Sequence, residues 1–152
     1  MEFTRTSDWD LVAKVITHPR IWRRISDDFA CSPEDWRPLD HPKVWYVTAR
    51  EGGKLCGLFV VVERSPILCE THLSFYPEAW GEETRKGLRE FLAWLWDTTG
   101  FHRAIADIGQ DNPLALKLAA DCGYREFGRN PEAIQRRGKL IDDIWVGITR
   151  PS

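Results

Sequence analysis

Glu70, His72 and Ser74 alternate with Cys69, Thr71, Leu73 and Phe75 in the run CETHLSF. Side chains two apart share a face of a β-strand, so this pattern sets a carboxylate, an imidazole and a hydroxyl on one face, opposite a largely apolar one. The first set can accept and return protons. Pro77 ends the strand, because proline cannot donate to a ladder. Beyond it, Leu88, Phe91, Leu92, Leu95 and Trp96 recur at i, i+3, i+4, i+7 and i+8, with Arg85, Lys86, Arg89 and Glu90 opposite. That is an amphipathic helix. A strand entering a helix through a Gly-bearing turn (here Gly81) offers unpaired backbone N–H groups to an anion. The same layout also serves plain packing.

The rest of the chain must position this unit. A short strand is expected over Phe3–Thr6. Ser7 with Asp10 resembles a capping box for a helix in which Leu11, Val12, Val15 and Ile16 share a face. Pro19 suits the first turn of a second helix carrying Ile21, Trp22 and Ile25. Three prolines between Cys31 and Pro42 mark a surface loop. Val44–Ala49 and Leu55–Glu63 read as strands joined at Glu51, Gly52 and Gly53, a turn that needs positive φ. The run Leu58–Val62 is apolar on both faces, as for a strand inside a covered sheet. Ala104–Ile108 is a further strand. Asn112 and Pro113 open a helix that Gly123 closes. Tyr124–Gly128 and Leu140–Thr149 supply two last strands, and the charged stretch Arg129–Lys139 between them is expected to be mobile. This order predicts a mixed α/β sheet with helices on both faces.

At 152 residues the chain suits a single domain, 1–152, with a sizeable core. Hydrophobic and charged contents of 43% and 29% are ordinary for a soluble globular protein. A net charge of −2 gives no electrostatic footprint for nucleic acid. Four widely spaced cysteines form no CxxC pair, which indicates neither a zinc ribbon nor a redox dithiol and points to a reducing, cytoplasmic setting. No apolar run is long enough to cross a membrane. Eight tryptophans are unusual; Trp22, Trp36 and Trp80 fall outside the core patterns and are candidates for an acceptor or partner surface.

Two stretches carry a family resemblance. DNPLALKLAADCGYREFGR, Asp111–Arg129, resembles the second half of the GNAT acetyltransferase domain, where an Asn-containing turn starts a helix that ends in a Gly-aromatic pair before a strand. FYPEAWGEETRKGL, Phe75–Leu88, resembles the acyl-CoA pyrophosphate loop of that family. The resemblance covers most of the chain from Val44 onward; THPRIWRRISDD is also similar to small GNAT-fold proteins of tailed phages and prophages. It implies the GNAT fold, a mostly antiparallel sheet splayed at its central strand. It also implies acetyl-CoA in the splay and an acetyl group moved to an amine-bearing acceptor by a monomer or homodimer.

Carried onto this sequence, the resemblance assigns the base to Glu70 or His72. It places the acetyl-CoA contacts at Leu73, Phe75, Trp80, Gly81, Thr84, Arg85, Lys86 and Asn112. Two departures stand out. Glu83 and Arg85 occupy places where the loop usually carries glycine, and Ala119 stands where many members have a tyrosine that protonates the leaving thiolate. The departures keep a second reading open, a non-catalytic GNAT-fold binding or assembly protein.

Overall fold

A computed structural model describes residues 1–152. The elements run β1 (Glu2–Thr6), α1 (Trp9–Ile16), α2 (Pro19–Ile25), β2 (Val44–Glu51), β3 (Lys54–Ser65), β4 (Leu68–Phe75), a 3₁₀ turn (Pro77–Ala79), α3 (Glu82–Thr98), β5 (Arg103–Gly109), α4 (Pro113–Asp121), β6 (Arg125–Arg136) and β7 (Lys139–Thr149). Seven strands form one sheet in the order β1-β2-β3-β4-β5-β7-β6. All neighbours are antiparallel except β4 and β5, which run parallel. A parallel pair needs a crossover, and α3 supplies it.

Alternation along β3 divides the core in two. Phe59 and Val61 face α3 and α4, whose Leu88, Phe91, Leu95, Ala119 and Cys122 complete the larger cluster. Phe59 stacks on Phe91 with ring centroids 3.8 Å apart. Both rings are fully buried, and truncating such a residue costs about 3–5 kcal/mol. Leu58 faces the other way, onto Val12, Val15 and Ile16 of α1 and Ile21 of α2. Helices therefore cover both faces, as the hydrophobic periods predict.

Two local expectations need correction. The N-cap of α1 is Asp8, which accepts from the Leu11 N–H at 3.1 Å, and not Ser7. Arg129–Lys139 is no mobile loop but the tip of a long hairpin, β6 turning into β7 at Arg137–Gly138. Asp28 fastens that turn by accepting from the N–H groups of Arg137 at 2.7 Å and Gly138 at 2.9 Å. These bonds, Gly138's foremost, hold its carboxyl below the ordinary range. The loop after α2 and the β6–β7 hairpin are thus one assembly.

Candidate functional site

Strands β4 and β5 pair only over Leu68–Glu70 and Arg103–Ile105. Both continue further, β4 on the ladder of β3 and β5 on that of β7, so they splay apart beyond Glu70. The Ile67 carbonyl accepts from the Arg103 N–H at 3.0 Å, so it faces β5. At a period of two, the N–H and C=O of Thr71, Leu73 and Phe75 present on that same edge. Those of Leu73 find no strand partner there, because the ladder has already ended. Tryptophan 80 closes the outer end, its indole N–H donating to the Phe75 carbonyl at 2.8 Å.

A cleft of about 820 Å³ passes through this opening. Leu73, Leu88, Ala119 and Tyr124 line it on the α3/α4 side; His72, Asp107, Trp22 and Trp36 line it on the side of α1 and α2. Trp22 and Trp36 meet edge to face, with centroids 6.4 Å apart. The two faces of the sheet are joined through the splay, where a donor can sit on one side and an acceptor on the other.

The ionisable groups gather at its base. Glu70 is buried, accepts from Arg64 Nε at 2.9 Å, and lies 2.8 Å from His72 Nε2. The contact with His72, then that with Arg64, holds the Glu70 carboxyl down to about 2. An anionic Glu70 can only accept, so His72 Nε2 keeps its hydrogen and donates it to Glu70, which leaves the lone pair of the neutral ring on Nδ1. That nitrogen lies 4.0 Å from Asp107 Oδ1, and the His72 side chain is 38% exposed. Behind Asp107 sits Asp143, whose Oδ1 is buried without a hydrogen-bond partner. Burial first, and the Asp107 carboxylate second, push its carboxyl up to about 6. Donor atoms of Glu70, His72 and Asp107 lie within 4.8 Å of one another. Because Glu70 is already committed to Arg64 and His72, this is an ion-pair network in its own right.

Sequence reasoning missed Arg64, Asp107 and Asp143. A signal existed for the last two. Each acid interrupts an otherwise apolar strand, IADIG and LIDDIWVGI, and a carboxylate in a core strand is rarely there for packing.

The start of α3 is open. Gly81 stands at its N-cap with φ +100°, a conformation costly for any side chain, and the helix has no side-chain cap. Its first N–H groups are therefore free. Thr84 turns inward and donates its hydroxyl to the Ala79 carbonyl at 2.6 Å. The Phe75 ring is core, packed on Phe59 at 5.4 Å. Glu83 faces away towards β3, accepting from the Cys56 thiol at 3.0 Å. Arg85 is held by Glu82 and, at 3.3 Å, by Asp121. Lys86 lies on the opposite flank of the helix, paired with Glu51 at 3.0 Å. Neither cation is free. Across the cleft, Asn112 caps α4, accepting from the Ala115 N–H at 3.2 Å, and also lines the cleft. Ala119 lies in the α4 wall, and the Tyr124 hydroxyl meets Thr71 Oγ1 at 3.1 Å.

The structure therefore gathers His72, Leu73 and Asn112 on the cleft with Glu70 directly behind. It sets Trp80 and Gly81 at the mouth and Lys86 apart from both.

Comparison with known proteins bears on the fold. A search of curated proteins finds no match by sequence. A spermidine N-acetyltransferase from Vibrio cholerae, solved with CoA and spermine, superposes with a TM-score of 0.79 over 97% of this chain and 94% of its own, at 17% identity. A ribosomal-protein-alanine N-acetyltransferase from Brucella melitensis gives 0.59 over 70% of this chain and 69% of its own, at 19% identity. At such identities the likeness is one of fold. The acetyltransferase (GNAT) domain family matches residues 1–125, from β1 to the start of β6. With that match across most of its length and the splayed sheet, the chain belongs to the GNAT acetyltransferase family.

Proposed function

We propose that this chain moves the acetyl group of acetyl-CoA to an amine, with His72 as base and Glu70 as the group that orients it. The observation that carries this reading is the splay, where the unpaired N–H of Leu73 and the imidazole of His72 converge from one strand. An ammonium cannot attack a thioester, so His72 Nδ1 would take a proton from the incoming amine, directly or through one water. The neutral nitrogen adds to the carbonyl, and the N–H of Leu73 would meet the charge that develops on oxygen. Collapse breaks the C–S bond and releases CoA thiolate, and the second nitrogen proton passes to solvent to leave the neutral amide. Glu70 makes a poor base, since a carboxylate whose conjugate acid is held near 2 has little affinity for a proton. The acetyl-pantetheine arm would lie along Leu73 and Asn112, with its diphosphate near the N–H groups that follow Gly81.

The acceptors named for the two structural relatives, a polyamine and a ribosomal protein, are alternatives for this chain. Four free cysteines agree with a reducing, cytoplasmic setting. No helix is long and apolar enough to cross a membrane. The second reading is a binding or assembly role without turnover, of the kind suggested by the phage-like N-terminal run. The observation favouring it is Ala119, which leaves α4 without a phenol. Titrating acetyl-CoA while following the melting temperature, then assaying CoA release with a panel of amines, separates the two. Transfer predicts a raised melting temperature and amine-dependent CoA release. A shift without release supports the binding role, and no shift at millimolar acetyl-CoA overturns both the enzyme and its cofactor site.

A further inference from the structure

The outer end of the cleft continues into a groove of about 360 Å³ that shares Arg24, Asn112 and Arg136 with it. Its lining holds five arginines, Arg20, Arg23, Arg24, Arg136 and Arg137, against a single carboxylate, Asp111. Asp111 is already taken, paired with Arg136 and, at 3.8 Å, with Arg137. The three arginines of α2 have no carboxylate within ion-pairing distance. In a chain whose net charge is −2, three arginines without an acidic partner on one helix are a local excess of positive charge.

Two of these guanidinium groups are also pre-positioned. Those of Arg20 and Arg24 lie over the Trp80 indole, 4.8 and 4.3 Å from its centroid. A stacked guanidinium keeps its in-plane N–H donors free and loses little entropy on binding an anion. Trp80 directly precedes Gly81, the N-cap of α3. Meanwhile Arg85 and Lys86, the cations nearest the helix start in sequence, are spent on Glu82, Asp121 and Glu51.

Resting on the acetyl-CoA reading above, we propose that Arg20, Arg23 and Arg24 bind the 3′-phosphate at the nucleotide end of CoA. A phosphomonoester carries close to two charges near neutral pH and offers three acceptor oxygens, which matches a forked, multi-arginine site. The diphosphate is a different problem, served by backbone N–H groups at the start of α3. The helix α2 thus supplies the charge that the glutamates of the α3 turn withhold.

The test compares CoA with 3′-dephospho-CoA, which lacks only this phosphate. Dissociation constants are measured by calorimetry for the unmodified chain and for Arg20→Gln/Arg24→Gln. The unmodified chain should bind CoA on the order of tenfold more tightly, the preference shrinking as salt is added. In the double variant the preference should fall to within about twofold, while affinity for 3′-dephospho-CoA is kept. That retained binding also shows the variant is folded. Equal affinities in the unmodified chain overturn the proposal. So does a variant that keeps the preference, or one that loses both ligands equally. If neither ligand binds the unmodified chain, the acetyl-CoA reading itself fails and takes this one with it.

Discussion

Asp143 should cost the fold stability at neutral pH, and Asp143→Asn should recover it. Its carboxyl sits at about 6 against an ordinary value of 3.8, raised by burial and then by Asp107. A gap of roughly two units corresponds to at most about 3 kcal/mol. Asp107 is 31% exposed, so solvent screens part of the repulsion, and about 1–1.5 kcal/mol is the reasonable expectation. The sign follows from the direction of the shift. A carboxyl raised in the folded state carries no penalty below its unfolded pKa. The penalty grows as pH rises through about 4 to 6 and is complete above 6. Asparagine keeps the shape, removes the charge, and can donate its amide to Asp107. Thermal melts at pH 4.5 and pH 7.5 provide the assay. The variant should gain about 3–5 °C over the parent at pH 7.5 and only a part of that at pH 4.5, where the penalty is still incomplete. An equal gain at both pH values, or a loss at pH 7.5, would refute the charge argument.

Two further outcomes follow from the site and its approach. His72→Asn and Glu70→Gln should each lower turnover by about 10²-fold or more with acetyl-CoA affinity kept; unchanged rates in both variants would move the base elsewhere. Glu83→Gly should leave acetyl-CoA affinity unchanged, because the carboxylate faces Cys56 and not the cleft. It should lower the melting temperature slightly, by the roughly 0.3–1 kcal/mol that a first-turn acid contributes; a clear gain in affinity would show Glu83 facing the diphosphate.

Much of the fold was legible because it rests on short-range periods. The alternation of Cys69–Phe75, the helical spacing from Leu88 to Trp96 and the Gly52–Gly53 turn each constrain their own neighbourhood, and all three stand in the structure. The β6–β7 hairpin was hidden for a physical reason. Its faces around Arg129–Arg136 are both polar and interrupted by bulges, so no alternation betrays it. What orders it is Asp28, more than a hundred residues away in sequence. The site was half legible in the same way. Glu70 and His72 declare themselves by sharing one strand face. Arg64, Asp107 and Asp143 join them only through strand pairing, and nothing local announces which acids a sheet will bring together. The long-range charge pairing was illegible: Arg85 and Lys86 sit where sequence would want them for an anion, yet their partners Asp121 and Glu51 come from α4 and β2.

The missing phenol at Ala119 carries less weight than it first suggests. Tyr124 is the one phenol on the cleft, and its hydroxyl is engaged with Thr71 in the core. Burial pushes that phenol well above its ordinary range, with Thr71 working only partly against it. A donor so reluctant to ionise cannot usefully protonate a leaving thiolate, whose own conjugate acid has a pKa of about 8.5. For the same reason the thiolate needs no such help, since it leaves readily as an anion near neutral pH and takes its proton from water. The steps that do require the protein are removal of a proton from the amine and stabilisation of the oxyanion. On the proposed reading both fall to β4, through His72 held by Glu70 and through the free N–H of Leu73. On that reading, Ala119 stands in place of a group that the reaction can spare.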